Sequence, residues 1–182
     1  MGCGCGKKKA ESAAMVAASI VDSMETSEWG PVFWKVLHCF SIRVGMIGDR
    51  ISDTDQARAM EYLVGHLGEV LPCEACQAHF KSYLESAGPL NWVGKYGVAL
   101  RGAIELWLLD LHNSVRVRLE QPVIISTVSE YEEAYAGCTL EPCELEIVAR
   151  AAKYALDHNI VKAAAWKRWF TEFKRLKISL GA

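Results

Sequence analysis

The sequence has no apolar run long enough to cross a bilayer. The weakly apolar stretch AAMVAASIV, at 13–21, falls well short of the ~20 residues that a membrane-spanning helix needs. No apolar core of secretory length follows the first lysines either. These two absences lead us to expect a cytoplasmic protein.

A strong net charge and internal repeats are also missing. The formal net charge is -2, so the overall charge gives no reason to expect nucleic acid as a partner. Low complexity is confined to the opening MGCGCGKKK. A chain of 182 residues suits one domain, or one domain with an appendage, and is long enough to bury a core.

Strand patterns are scarce. Only PVIIS, at 122–126, has strand character, and elsewhere apolar residues recur at helical spacing. The pattern predicts a helix with Pro31 in its first turn, a second over ISDTDQARAMEYLVGHLGEV, a third from Cys73 and a long fourth capped by Asn91. Further helices are predicted over 129–136, 142–157 and 162–177. The fold class is therefore all-α.

Cysteine, by contrast, is plentiful, with seven residues. Cys73 and Cys76, in LPCEACQAHF, lie three positions apart in the first turn of a predicted helix, so they share one face. Because the N-terminus of a helix stabilises a thiolate, the spacing favours a redox-active dithiol. A zinc site on Cys73, Cys76 and His79 is an alternative, and inert cysteines are another.

Two other motifs accompany this pair. WGPVFWKVLH at 29–38, LPCEAC at 71–76 and LWLLDLHNSVRVRL at 106–119 occur in this order and at spacings that resemble the Erv/ALR family of FAD-dependent sulfhydryl oxidases. The likeness is greatest to members encoded by large cytoplasmic DNA viruses, and it covers about residues 27–122. It implies a four-helix bundle that holds FAD, with a short fifth helix and here extra C-terminal helices, and usually a homodimer.

The resemblance also implies roles for single residues. Cys76 matches the cysteine beside the flavin, and Cys73 matches the one that exchanges with incoming thiols. Arg116 stands where the family usually has a second Asn, and no cysteine pair that staples the bundle is evident, since Cys39 is interpreted as a small core residue. The positions implied in cofactor binding are Trp34, His38, Trp107, His112, Asn113, Val115, Arg116 and Arg118.

These residue types suit the cofactor. FAD needs flat apolar walls for its rings, polar groups for adenine and ribose, and cations for its pyrophosphate. The expected function is therefore an FAD-dependent sulfhydryl oxidase that forms disulfides in protein dithiols and reduces oxygen to hydrogen peroxide. The alternative is a structural or membrane-associated virion protein that keeps the bundle without turnover.

An oxidase of this class also needs a mobile shuttle dithiol. Cys138 and Cys143, in GCTLEPC, are one candidate pair, although a disulfide that ties the loop fits them equally well. Cys3 and Cys5, in GCGCG, are the other pair, because a Cys-x-Cys disulfide between glycines is strained and therefore oxidising.

The N-terminal residues have a competing interpretation. Gly2 suits myristoylation, and Cys3 and Cys5 suit palmitoylation, with Lys7–Lys9 adding contact with anionic lipid. Gly6 departs from the pattern, which has Ser or Thr at this position. Acylation would hold the protein against a membrane in the host cytoplasm or the virion.

Three segments are expected along the chain: a tail over 1–26, the oxidase bundle over 27–140 and a helical extension over 141–182. The last predicted helix carries an aromatic stripe flanked by basic residues. We expect this stripe to pack on the bundle or on a second subunit, with a membrane-surface or partner-binding helix as the alternative. It comprises Trp166, Trp169, Phe170, Phe173 and Leu176.

Overall fold

The computed structural model describes residues 25–182, and their regular secondary structure is entirely helical. This confirms the all-α class, and 122–126 has no strand. None of the helices in this part of the chain has both the length and the apolarity needed to cross a bilayer. The elements are α1 (Thr26–Ser41), α2 (Arg50–Gly65), a 3-10 helix (Leu67–Glu69), α3 (Glu74–Ala87), α4 (Gly97–Arg118), α5 (Val128–Tyr135), α6 (Pro142–Asp157) and α7 (Ala163–Ser179).

Two helix starts differ from the sequence prediction. Helix α1 begins before Pro31, which lies inside it, because Trp29 is already buried edge-on against Phe33 one turn later. Helix α4 begins after Tyr96 rather than at Asn91. The preceding segment is held in a turn by Glu61 of α2, whose carboxylate accepts the backbone N–H groups of Trp92 and Val93.

The α1–α2 loop packs directly against the start of α4. Gly45 has φ +73°, and a Cβ at this position would lie 2.5 Å from the carbonyl oxygen of Gly97, so only glycine fits. Its N–H donates to Oε1 of Gln56 at 3.0 Å, while the N–H of Gly97 donates to Oδ2 of Asp53 at 2.8 Å. Two side chains of α2 therefore fix this end of the bundle.

The C-terminal helices cover the outer face of the bundle. Helix α6 packs against α1, and α7 packs against α2. Trp169 stacks on Phe33 with ring centroids 6.3 Å apart, and its Nε1–H donates to the carbonyl oxygen of Leu63 at 2.9 Å. Trp169, Phe173 and Leu176 are all buried. The expected packing of the aromatic stripe on the bundle is confirmed, with Trp166 and Phe170 partly buried against the same core.

A covalent link and an ion pair join α1 to the C-terminal part. Cys39, fully buried on α1, forms a disulfide with Cys138, with Cα atoms 5.5 Å apart. Cys39 is a core residue as expected, but the expectation that no cysteine pair staples the bundle is wrong, and so is the pairing of Cys138 with Cys143. Lys35 of α1 also donates to the buried carboxylate of Glu144 on α6 at 2.6 Å.

Candidate active site

The Cys73–Cys76 pair forms a disulfide at the start of α3, with Cα atoms 5.2 Å apart. Cys73 is the N-cap residue, and its Sγ accepts the backbone N–H of Cys76 at 3.2 Å. The loop before it is pinned by Gln77, whose Nε2–H donates to the carbonyl oxygen of Leu71 at 2.8 Å. The N–H contact and the positive end of the helix dipole both stabilise negative charge on Cys73 Sγ when the bond opens.

The zinc alternative finds no support at this pair. Nε2 of His79 lies 3.2 Å from Oγ of Ser114 on α4, and burial, followed by the charge of Arg118, lowers the pKa of His79. Within residues 25–182, no group of three or more His, Cys, Asp or Glu side chains is placed to hold a metal ion. His79 instead lies in the wall of the cavity that also contains the disulfide.

A cavity of about 720 Å³ lies between α1, α3 and α4, with Tyr135 of α5 at its edge. This volume is within the range usual for cofactor sites. Both Cys73 and Cys76 reach its wall. The rest of the wall is mainly apolar and includes Trp29, Phe33, Trp34, Leu37, Leu67, Leu71, Phe80, Leu111 and Val115.

The charged groups of the cavity wall all have one sign. Lys35, Arg116 and Arg118 line it, and no Asp or Glu among the described residues does. Nη1 of Arg116 donates to the carbonyl oxygen of Pro122 at 3.2 Å, which holds the guanidinium beside the α4–α5 segment. Because Lys35 is already paired with Glu144, Arg116 and Arg118 are the two cations that favour an anionic ligand in this partly apolar cavity.

Trp34 and His112 form a stacked platform in the wall of the same cavity. Their rings stack in parallel with centroids 4.1 Å apart. His38 lies behind this platform, buried, with its Nε2 at 2.9 Å from Nδ1 of His112. Burial, with the charge of Arg116 as the smaller cause, lowers the pKa of His112 to about 4. The imidazole ring of His112 is therefore neutral near pH 7.

Three residues expected to bind the cofactor lie outside the cavity wall, namely His38, described above, Trp107 and Asn113. The ring of Trp107 packs edge-on against Phe80, Tyr83 and Trp92, on the side of α4 turned toward α3. Nδ2 of Asn113 donates to the carbonyl oxygen of Ile125 at 2.9 Å. In this structure, Trp107 is partly buried and packs against the core, and Asn113 holds the α4–α5 segment.

Sequence reasoning missed the side chains of Trp29, Tyr131 and Tyr135, which lie on or behind this wall. Tyr131 of α5 lies 2.6 Å from Nδ1 of His38 and 2.7 Å from Oγ of Ser41. Nε1 of Trp29 is buried and has no hydrogen-bond partner among residues 25–182. The spacing of Tyr131 and Tyr135, four positions apart on a short helix, was a signal for a shared inward face.

Comparison with known proteins connects these features to a family. The model of the Erv1 / Alr family matches residues 31–136, more than half of the chain, and this range includes the Cys73–Cys76 disulfide and the Trp34–His112 platform. The chain belongs to the Erv1/Alr family.

Related viral proteins extend the comparison. The FAD-linked sulfhydryl oxidase of African swine fever virus (isolate Pig/Kenya/KEN-50/1950) is 29% identical over 116 residues, which are 64% of this chain and 87% of the relative. The same enzyme of isolate Warthog/Namibia/Wart80/1980 is 28% identical over 116 residues, with the same coverage. Protein 088R of frog virus 3 (isolate Goorha) is 25% identical over 122 residues, 66% of this chain and 77% of the relative. No solved structure matches this chain significantly.

Proposed function

We propose that this Erv1/Alr member is an FAD-linked thiol oxidase that forms disulfides in protein dithiols. The family and the names of its relatives support the activity and the cofactor. The observation that carries the proposal is a disulfide, Cys73–Cys76, at a helix N-terminus in the wall of a cationic, apolar cavity. A structural protein without turnover would not require this combination, so the alternative is not favoured.

The residues of the cavity suit FAD. Its apolar wall and the Trp34–His112 platform suit aromatic rings, and Arg116 and Arg118 offer positive charge for a pyrophosphate. His38 would support the site from behind His112, and Val115 would contribute apolar wall.

The chain's own chemistry is thiol–disulfide exchange at α3. A substrate thiolate attacks Sγ of Cys73, the Cys73–Cys76 bond breaks, and Cys76 leaves as a thiolate. A second substrate thiolate then attacks the mixed disulfide, so the substrate gains a disulfide and Cys73 leaves as a thiolate. The N–H of Cys76 and the start of α3 stabilise that charge. FAD, when bound, accepts the two electrons and passes them to oxygen, which yields hydrogen peroxide.

For the shuttle, the Cys3–Cys5 pair is now the stronger candidate, because Cys138 is bonded to Cys39. Cys3 and Cys5 lie outside the described residues. However, α1 begins at Thr26, whose side chain lines the cavity. The chain between Cys5 and Thr26 can span up to about 70 Å when extended, so its length allows Cys5 to reach Cys73.

A double variant separates the two uses of this segment. We expect Cys3→Ser with Cys5→Ser to keep oxidase activity with a small dithiol, which reaches Cys73 directly, and to lose most activity toward a folded protein dithiol. Oxygen consumption with both substrates measures this. Full activity toward both, together with loss of the protein from the membrane fraction, would favour acylation of Gly2, Cys3 and Cys5 instead.

The central experiment tests the cofactor and the dithiol together. Purified protein should carry flavin absorption after desalting, and Cys76→Ser should keep the flavin but lose at least about 100-fold of its oxygen consumption with a small dithiol, because that variant cannot form the disulfide. Cys143→Ser serves as a matched control and should retain activity. Colourless wild-type protein, or a Cys76→Ser variant with normal turnover, would overturn the proposal.

The partners of the protein follow from the proposed activity, whereas its location and oligomeric state do not. Protein dithiols and oxygen are the partners implied by a thiol oxidase. A homodimer, the host cytoplasm or virion as location, and membrane contact through the N-terminus stay predictions. Because α7 already covers one face of α2, we propose that a homodimer uses other surfaces.

A further inference from the structure

A chain of polar side chains runs from the end of α1 to the cavity. Oγ of Ser41 lies 2.7 Å from the carbonyl oxygen of His38 and 2.7 Å from Oη of Tyr131. Oη of Tyr131 lies 2.6 Å from Nδ1 of His38, and Nε2 of His38 lies 2.9 Å from Nδ1 of His112. Ser41, His38 and Tyr131 are fully buried, whereas His112 lines the cavity.

The direction of each hydrogen bond follows from the first one. A carbonyl oxygen only accepts, so the single proton of the Ser41 hydroxyl goes to His38 O. Ser41 must then accept from Tyr131, whose own proton is used in that bond. Oη of Tyr131 can therefore only accept from Nδ1–H of His38.

Both histidines carry one proton each near neutral pH. Burial, followed by the charge of His112, lowers the pKa of His38 to about 3, and burial likewise lowers the pKa of His112 to about 4. Burial also raises the pKa of Tyr131, so its hydroxyl stays protonated. A neutral His38 with its proton on Nδ1 has a bare Nε2, which accepts from Nδ1–H of His112.

The last ring of this hydrogen-bond chain, His112, lies in the cavity wall. With its proton on Nδ1, His112 has a bare Nε2, which has no hydrogen-bond partner among residues 25–182. We propose that Ser41 and Tyr131 are positioning residues that set His112 as a hydrogen-bond acceptor, through Nε2, for the bound cofactor. Neither residue touches the cavity in this role; both act through His38.

An acceptor at Nε2 of His112 selects a hydrogen-bond donor on the cofactor. An amino or hydroxyl group of a dinucleotide matches a bare ring nitrogen, whereas a carbonyl or phosphate oxygen would meet it lone pair to lone pair. The role of His112 toward the cofactor rests on the proposed FAD site, whereas the positions of the protons along the hydrogen-bond chain do not. The two claims can therefore fail separately.

The first measurement is the tautomer of each ring. In FAD-loaded protein labelled with ¹⁵N-histidine, long-range ¹H–¹⁵N correlation spectra should show His38 and His112 both protonated on Nδ1, the less populated tautomer of free imidazole in water. Finding His112 protonated on Nε2 would overturn the proposal. Absence of bound FAD would refute the proposed function, and the same spectra would still report on the chain.

Ser41→Ala gives the sharpest test, because it should reverse the chain. Without the serine oxygen, Tyr131 donates to Nδ1 of His38, His38 donates from Nε2 to His112, and His112 presents Nε2–H to the cavity. Both tautomers should switch, and the affinity for FAD should fall by about tenfold because a donor then meets a donor. A switch of tautomers without loss of affinity would disprove the acceptor role toward the cofactor.

Two tyrosine variants complete the design. Tyr131→Phe removes the hydroxyl but keeps the ring, so His38 and His112 should each show a mixture of tautomers. Tyr135→Phe is the matched control, because its ring also packs against His38, with centroids 4.4 Å apart, while its hydroxyl lies outside the chain. Wild-type tautomers in Tyr131→Phe, or equal changes in both variants, would contradict the proposal.

Discussion

Glu105 is a buried carboxylic acid without hydrogen-bond partners among the described residues. It is 1% exposed on α4, and neither carboxylate oxygen has a hydrogen-bond partner within residues 25–182. Nε of Arg101 is nearby but 3.9 Å away. Burial, then the charge of Glu132, raises the pKa of Glu105 from 4.5 to about 7, against the opposing charge of Arg101. The folded protein therefore binds more protons than the unfolded chain between these pH values.

Stability should consequently fall as the pH rises from 4.5 through 7, as far as Glu105 is concerned. We expect Glu105→Gln to raise the free energy of unfolding by about 1–3 kcal/mol at pH 8, with little gain at pH 5, where the wild-type carboxyl is already protonated. Urea unfolding at both pH values measures this. The exposed Glu133→Gln on α5 is the control, and an equal gain at pH 5 and pH 8 would show that ionisation is not the cause.

At the level of elements, the sequence allowed helices with a regular apolar pattern to be predicted, but not contacts between residues far apart in the chain. The Pro72-Cys73 signal located the start of α3, and the pairs Cys73–Cys76 and Trp34–His112 were found from motifs whose residues meet in the cavity. The start of α4 was misplaced because Glu61, 30 positions before Asn91, ties up the backbone that follows Asn91. No local sequence pattern could reveal these two hydrogen bonds to Glu61.

The same limit applied to the bundle's disulfide and to Trp107. Cys39 and Cys138 are 99 positions apart, so neither spacing nor periodicity could pair them. Trp107 lies on the same helix as His112, but five residues turn it toward Phe80 and Trp92 instead of the cavity. Residue type suggested a cofactor contact, whereas the rotation of the helix places the Trp107 ring against Phe80 and Trp92.

Loss of the Cys39–Cys138 link should loosen α1 from the segment before α6. We expect Cys39→Ala to lower the free energy of unfolding by about 2–5 kcal/mol, because the bond closes a long loop. Neither sulfur lines the cavity, so activity with a small dithiol should persist. Denaturant unfolding under oxidising conditions checks this.

Cys143→Ala is the matched variant for that experiment. It should retain the bond between Cys39 and Cys138, as peptide mapping without reduction would detect. Recovery of a Cys138–Cys143 peptide from wild-type protein would instead restore the loop pair as a shuttle candidate.

For the molecule as a whole, α7 contributes a side chain that joins α1 and α2. Trp169 is buried against Phe33 and Phe173, and its Nε1–H satisfies the carbonyl of Leu63. Trp169→Ala should therefore cost about 3–5 kcal/mol of unfolding free energy. Trp166→Ala, on the same helix but only half-buried, should cost clearly less in the same thermal or urea unfolding experiment. Equal losses would mean that α7 is not anchored through Trp169.

This arrangement also sets an order of events during synthesis. Trp169 and Leu63 are 106 positions apart, and a ribosome releases the earlier residue first. The faces of Phe33 and Phe40 therefore stay uncovered until 163–179 has left the exit tunnel. A nascent chain stalled before that point would expose aromatic surface and be a client for chaperones, whereas the released chain buries that surface itself.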